Sequence, residues 1–574
     1  MKILFEAYEY PVEVLNKYFR HGILHTNGNL ETRAIEYVGY FYYVDEQHPL
    51  ESDSVFILPK VFMDEGNQPF GLDGVLPEDV IDLNSSEMVA MDKHIKEIIF
   101  NLSVWLYKAI ETYHKRNDGT TITKFENMQN VISSKSDSSA TFLDIILRLL
   151  AFRKEHKNLL TFISVVNHSN KDKIHWRKTI SANQPYMQKG KPVYVDFRAK
   201  EKVVDYDEEL LVLFFSVLEY IRKKYYFRVE VDINYQLISY SRIEAMIDSC
   251  KGTRLLKSIR KRYFTDELVA LWQLLYAFFD KAERVANKRY HEDRLLVKDF
   301  PRVFEDMIDY LISDEEYPGE LKEQEDGKII DHIFVGSSLI NKADSIYYVG
   351  DSKYYKIGKE LESKSVAKQF TYAKNIIQRN INVMHGFDRG DKRCYFTYRD
   401  DDLTYGYDIT PNFFISAKVD QDIEKYDYNH LNLENISKRF EDNLNRHFEN
   451  RLFDRDTLML QRYNVNFLYV LSTYASLAEN NRMAFRKQMR REIHDDLIKV
   501  ITDEYKFYRV DIREESMQRF VQEHYWKHHG RFYSFCQSGR RILLFASSRA
   551  SKFADVKYMQ EEFACHLSDW ICKS

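Results

Sequence analysis

The stretch SIYYVGDSKYYK, residues 345–356, decides how this chain is read. Its first half is aromatic and β-branched, the composition of a buried strand. It then delivers Asp351 and Lys353, two residues apart and so on one face of the pleat. Two charges at the end of a buried strand cost several kcal/mol, of the order of 3–5, unless they are paired or hold a metal. The triplet alone carries no weight. Glu155/Lys157, Glu320/Lys322, Asp326/Lys328, Glu362/Lys364, Glu504/Lys506 and Asp555/Lys557 have the same spacing.

The surroundings of the pair set it apart. Asp331 lies upstream in GKIIDHIFVG (327–336), a segment with the pattern of a strand. If the two segments form a hairpin through residues 337–345, Asp331 and Asp351 converge. The following helix, around SVAKQFTYAKNIIQ (365–378), presents Gln369 and Tyr372 at i, i+3 and therefore on one face. Paired carboxylates beside a lysine suit metal-assisted phosphodiester hydrolysis. Mg²⁺ takes hard oxygen ligands, keeps several waters and binds through one or two carboxylates. It stabilises developing charge on phosphorus and lowers the pKa of the attacking water. The carbonyl of Ser352 is a candidate further ligand. Glu305, in the upstream helix FPRVFEDMIDYLIS (300–313), is a candidate additional acid, with Asp306 and Asp309 as neighbours that leave the choice open. The rival reading is an ordinary hairpin whose Asp and Lys form an ion pair at a strand end.

Composition bounds the rest. The chain has 574 residues, room for several domains. With 44% hydrophobic and 30% charged residues it has the make-up of a folded soluble protein. No run approaches the ~18–20 apolar residues of a membrane span. The opening MKILFEAYEYPVEVLNKYF lacks the apolar core of a signal peptide, so a cytoplasmic, membrane-free protein is expected. Cys250, Cys394, Cys536, Cys565 and Cys572 are scattered and odd in number, which speaks for buried free thiols and against a disulfide framework or a zinc site. A net charge of -5 does not exclude a nucleic-acid partner, because DNA binding needs only local basic surface.

The expected fold class is multidomain α/β. Residues 1–85 read as a small β-rich domain, with Asn27-Gly28 as a tight-turn signal and Pro59 marking a strand exit. Residues 86–292 read as mainly helical, with segments at 91–116, 141–156, 207–226 and 266–291 and a polar, looped or β-containing insertion at 167–205. Residues 293–420 alternate helix and strand, with further strands at 393–399 and 412–419. Residues 421–574 mix long charged helices with strands such as 540–548, as an extension of the α/β region.

IIDHIFVG, YYVGDSKYYK and KQFTYAKNI together resemble the PD-(D/E)xK nuclease motif with its downstream Q-x-x-x-Y. Within that superfamily the chain is similar to McrC-type restriction subunits, in particular the LlaJI group. FEDMIDYLI (304–312) resembles the helix preceding their core. NGNLETRAIEYVGYFYY (27–43) and VFILPKVFM (55–63) resemble their β-rich N-terminal region, and KIHWRKTI (173–180) a segment of the LlaJI group. The resemblance spans most of residues 1–380. It implies a nuclease core with a mixed sheet at 293–420, Asp331 and Asp351 as Mg²⁺ ligands (Mn²⁺ as substitute), and Lys353 as the catalytic lysine. Gln369 and Tyr372 would position the active site or DNA. Ile330 stands where the motif has Pro.

The family works on double-stranded DNA with an McrB-like AAA+ GTPase. This chain has no GxxxxGK[ST] loop: the Gly-Lys pairs at 190–191, 327–328 and 358–359 are followed by Pro192, Ile329 and Glu360. A motor must therefore come from another polypeptide, and the helical region is the expected docking part. Two other functions fit the same residues: a non-catalytic factor that stimulates an NTPase and keeps a decayed nuclease core, or a motor-independent nuclease acting on RNA or repair intermediates. Elsewhere, Arg482, Arg486 and Arg490 at four-residue spacing read as a solvated helix face or a DNA-backbone contact. KHHGR (527–531) reads as a surface loop, and KSIRKRYF (257–264) as a helix face or connector.

Overall fold

A computed structural model describes residues 2–18, 31–43, 53–64, 66–70, 75–82, 93–117, 131–133, 142–157, 162–168, 173–205, 208–225, 229–232, 234–286, 294–315, 319–322, 329–356, 361, 363–384, 401–419, 437–439, 444–445, 448, 450–476, 479–570 and 572. The Asn27-Gly28 turn, Cys394 and the strand expected at 393–399 lie outside them. The architecture is mixed α/β, with two five-stranded sheets and one of four strands among smaller ones.

The first sheet runs in the order β1 (Lys2–Phe5), β3 (Asp53–Leu58), β2 (Tyr37–Tyr43), β5 (Arg294–Lys298), β4 (Val131–Ser133). β1 is parallel to β3 and the other pairs are antiparallel. Pro59 follows β3, where its missing N–H ends the ladder. The boundary drawn at 292/293 cuts this sheet. β5 carries Leu295, Leu296 and Val297, all buried, and covers the open edge of β2. The helices α1 (Lys93–Asn117), α2 (Phe142–Glu155), α3 (Glu209–Tyr225) and α4 (Asp266–Ala286) fall where apolar periodicity places them. The insertion is β-containing: Phe162–His168 pairs with Arg198–Val204, and Tyr186–Gln188 forms a small hairpin with Lys191–Val193.

The central unit begins with α5 (Phe300–Ile312), then β6 (His332–Ser337), β7 (Ser345–Lys353), α6 (Ser363–Met384), β8 (Thr410–Lys418), β9 (Ser437–Arg439) and β10 (Leu458–Asn466). Its mixed sheet runs β6-β7-β8-β10-β9. The β6–β7 hairpin is antiparallel, and β7–β8 and β8–β10 are parallel. A parallel β7–β8 pair needs a crossover, and α6 lies within it. Two of the five strands come from beyond residue 420, so the boundary drawn at 420/421 also cuts a sheet. β7 is buried from Ile346 to Ser352 because both of its faces are covered. On one face Tyr347 and Val349 pack with Tyr372 and Ile376 of α6. On the other, Ile346 and Tyr348 join the large core with Val303, Phe304 and Met307 of α5. Gly350 belongs to that second face: a Cβ there would lie 2.2 Å from the Phe413 ring, so only glycine lets β8 pack this closely.

α7 (Phe467–Ser476) and α8 (Glu479–Glu504) follow. Phe467 meets Phe62 at 5.5 Å and Phe304 at 6.1 Å between ring centroids, so the N-terminal and central sheets share one core. The arginine row on α8 is neither a solvated face nor free for DNA. Arg482 and Arg486 donate to the Tyr310 carbonyl at 3.1 and 3.2 Å, and Arg490 to that of Ile312 at 2.9 Å and to Asp314 at 2.7 Å. These carbonyls end α5, where four acceptors lack intrahelical partners and the helix dipole favours cations. Four-residue spacing on α8 places one guanidinium per turn along them.

The C-terminal unit is an antiparallel sheet ordered β12 (Phe532–Gln537), β13 (Arg540–Ser548), β11 (Tyr505–Asp511), β14 (His566–Trp570), with α9 (Glu514–His528) and α10 (Val556–Phe563). KHHGR is not simply a surface loop. His528 ends α9 and is buried against Phe545, Phe553 and Phe563, with centroids 5.6, 5.0 and 5.1 Å away. KSIRKRYF forms the end of a helix and a short 3₁₀ turn, with Arg260 stacked 5.1 Å from the Trp272 ring. Cys536, Cys565 and Cys572 are free thiols. Cys572 is buried, as expected of all of them, but Cys536 is exposed.

Two outcomes follow from these contacts. Arg490→Ala removes charged hydrogen bonds from buried carbonyls and is expected to lower unfolding free energy by about 2 kcal/mol, read as a lower urea midpoint. Burial, with Arg531 nearby, lowers the His528 pKa to about 4. The unfolded state, titrating near 6.5, binds the proton first, so stability is lost as pH falls from 7 towards 4. His528→Phe is expected to flatten that decline in a thermal-melting series. An unchanged slope would exclude His528 as its source.

Candidate active site

The β6–β7 hairpin sets the geometry. His332 stands opposite Gly350 and each later pair follows in register down to Ser337–Ser345. One step further towards the open end, Asp331 stands across from Asp351. Asp331 accepts the backbone N–H of Ser352 at 3.0 Å. Asp351 is 2% exposed, and its Oδ2 is ion-paired with Lys353. The Lys353 ammonium also lies 5.5 Å from the Phe414 ring on β8. The hairpin inferred from sequence therefore forms and brings the two aspartates together.

α5 supplies three acids, and the structure separates them. Asp306 turns away to Tyr474 and Arg116. Asp309 binds Lys322 at 2.6 Å and faces His332. Glu305 belongs to the aspartate pair: burial and the Asp351 charge push its pKa up, while Lys353 pulls it down. Burial, then the charges of Asp351 and Glu305, hold Asp331 well above the usual carboxylate range. This cluster is short of positive charge.

Gln369 and Tyr372 come to the same face, but neither is exposed. The Gln369 amide donates to the Val349 carbonyl at 2.9 Å and to Asn412 at 3.2 Å, fastening α6 across β7 and β8. That buried amide therefore holds β7 and β8 in place under α6. Tyr372 is fully buried beneath Lys368, whose ammonium lies 5.1 Å from its ring. Although burial works against it, Lys368 has its pKa raised by Tyr372 and by the Asp351 and Asp331 charges. Sequence reading passed over Lys368. Its position four residues before Tyr372, on one helix face, was the available signal.

The donor set suits a hard divalent cation: the carboxylates of Asp331, Asp351 and Glu305 offer hard oxygen donors. With Lys353 drawn onto Asp351, no group of three or more His, Cys, Asp and Glu among the described residues is arranged to hold a metal. The lysine thus occupies the electrostatic role that a cation would share. No described helix is long and apolar enough to cross a membrane.

Neutralising one acid tests the charge balance. The Asp331 pKa is raised on folding, so its contribution to stability is present at low pH and is lost as pH climbs from the ordinary carboxylate range through the raised value. Asp331→Asn, which keeps an acceptor for the Ser352 N–H, is expected to raise the melting temperature by about 2–4 °C at pH 8 without divalent ions. A lower melting temperature there would show the cluster to be balanced already.

No protein-family profile matches the chain, and no curated protein matches it. Matches among solved structures include a chain from "Refined half-complex from tetradecameric assembly of Thermococcus gammatolerans McrB AAA+ hexamers with bound McrC". It is 12% identical to this one, over 85% of this chain and 99% of that chain, with a TM-score of 0.28. That score is too low for the likeness to carry a structural argument.

Proposed function

We propose that this chain is the nuclease subunit of a restriction system, cleaving double-stranded DNA with Mg²⁺ and working with a separate McrB-like AAA+ NTPase. The observation that carries the reading is the convergence of Asp331, Asp351, Lys353 and Glu305 at one end of the β6–β7 hairpin. The PD-(D/E)xK and McrC-type resemblance of the same residues supports it and supplies the partner. Asp331 and Asp351 would hold the metal, with the Ser352 carbonyl as a further ligand; Mn²⁺ has the same donor preference. When bound, the metal supplies charge stabilisation at phosphorus and a more acidic water. Lys353 orients that water and offsets the phosphate charge. Glu305, whose carboxyl is pushed above the usual range by burial and the Asp351 charge, is the candidate proton-exchanging acid. Gln369 and Tyr372 keep α6, and with it Lys368, against the site.

A second reading is favoured by one contact, the ion pair of Lys353 on Asp351. In that reading the pair is structural, and the chain is a non-catalytic factor stimulating its NTPase. Plasmid cleavage by the complex with the partner NTPase, Mg²⁺ and nucleotide separates the two. Asp351→Ala and Lys353→Ala complexes are expected to lose about 10²–10⁴-fold in cleavage while still assembling. Wild-type cleavage by either mutant complex would overturn the nuclease reading.

A further inference from the structure

On the face of β7 opposite the carboxylate pair lies a second set of polar groups that hydrolysis itself does not use. Ser352 sits between Asp351 and Lys353, so its side chain points the other way. There its Oγ is 2.5 Å from Nε2 of His332. His332, the residue after Asp331, is completely buried. Its Nδ1 lies 3.5 Å from Oδ1 of Asp309, whose other oxygen accepts from Lys322 at 2.6 Å. The 3.5 Å approach is a charge contact rather than a hydrogen bond; with the ring proton on Nδ1, facing the Asp309 carboxylate, Nε2 accepts the Ser352 hydroxyl.

The chain of contacts closes on the site through the backbone. His332 is covalently next to Asp331, and Ser352 is next to both Asp351 and Lys353. The Ser352 N–H is bonded to Asp331 and its hydroxyl to His332, so this residue of β7 is held by two consecutive residues at the start of β6. A buried histidine satisfied by its nearest polar neighbours is the simpler account. It does not explain why the buried place on β6 is taken by His332, facing Asp309 of α5, where an apolar side chain would pack at lower cost.

We infer that His332, bonded to Ser352 and facing Asp309, is a positioning residue that holds the ends of β6 and β7 so that Asp331 and Asp351 keep the spacing a divalent cation requires. This rests on the acid cluster being the hydrolytic metal site. Groups behind metal ligands affect metal affinity by about 10–100-fold. The series transmits geometry and no proton leaves it.

The test uses the full chain, with Mn²⁺ alone as probe in calorimetric or paramagnetic-resonance titration, and then Mg²⁺-dependent cleavage in the complex with its NTPase. His332→Phe, which fills the space but accepts no hydrogen bond, is expected to weaken Mn²⁺ binding about 10-fold and raise the Mg²⁺ concentration for half-maximal cleavage to match. His332→Gln, which restores an acceptor for Ser352, is expected to recover most of the loss. A packing role alone would reverse that order. Asp309→Asn, a milder change further from the strands, is expected to shift binding in the same direction and serves if His332→Phe does not fold. Wild-type Mn²⁺ affinity in both His332→Phe and Asp309→Asn, or His332→Gln binding more weakly than His332→Phe, overturns the inference. The parent reading fails separately: wild-type chain would bind no Mn²⁺, or Asp351→Ala would cleave like wild type.

Discussion

The register of one hairpin governs the site. Antiparallel pairing of His332 with Gly350 puts Asp331 and Asp351 opposite each other. A slip of one residue would send every side chain of one strand to the other face. That register is well determined because both faces of β7 are buried: tyrosine and valine against α6 on one side, isoleucine and tyrosine against α5 on the other. The apolar faces thus fix the position of charges that are themselves unfavourable to bury. Lys353, Lys368 and the Ser352 N–H are what the structure sets against them.

α5 is the second constraint. It carries Glu305 towards the carboxylate pair and Asp309 towards His332, one turn apart. Its C-terminus is held by three guanidinium groups of α8, far away in sequence. A helix whose last carbonyls are satisfied by another helix cannot shift along its axis without breaking charged hydrogen bonds. The arginine row therefore bears on the site without touching it, through the placement of α5. Residues flanking the N-terminal strands also reach the chain directly after β7: Glu6 is bonded to Tyr354, and Asn67 accepts from Lys356 at 2.6 Å.

Much of this was readable in the chain. The apolar periods of α1 to α4, the strand patterns of β6, β7 and β13, and the face shared by Gln369 and Tyr372 are local properties of sequence. Asp331 was found because hairpin partners are close in the chain. Sheet membership was harder. β5 closes an N-terminal sheet more than 200 residues away, and β10 completes the central sheet from beyond residue 420, because pairing depends on which edge is open in the folded chain. His528 looked polar and exposed in KHHGR, yet aromatic rings from three other segments enclose it.

The sequence by itself determined the mixed α/β character, the Asp-x-Lys strand and its partner aspartate, since each depends on residue types at fixed short spacing. Only the tertiary structure decided which acid of α5 joins the site, that the arginine row caps a helix, and that His332 stands behind the aspartates. Those assignments depend on rotations and approaches between elements distant in the chain. Residue type names the chemistry a side chain can do; its neighbours across space select which of it is done.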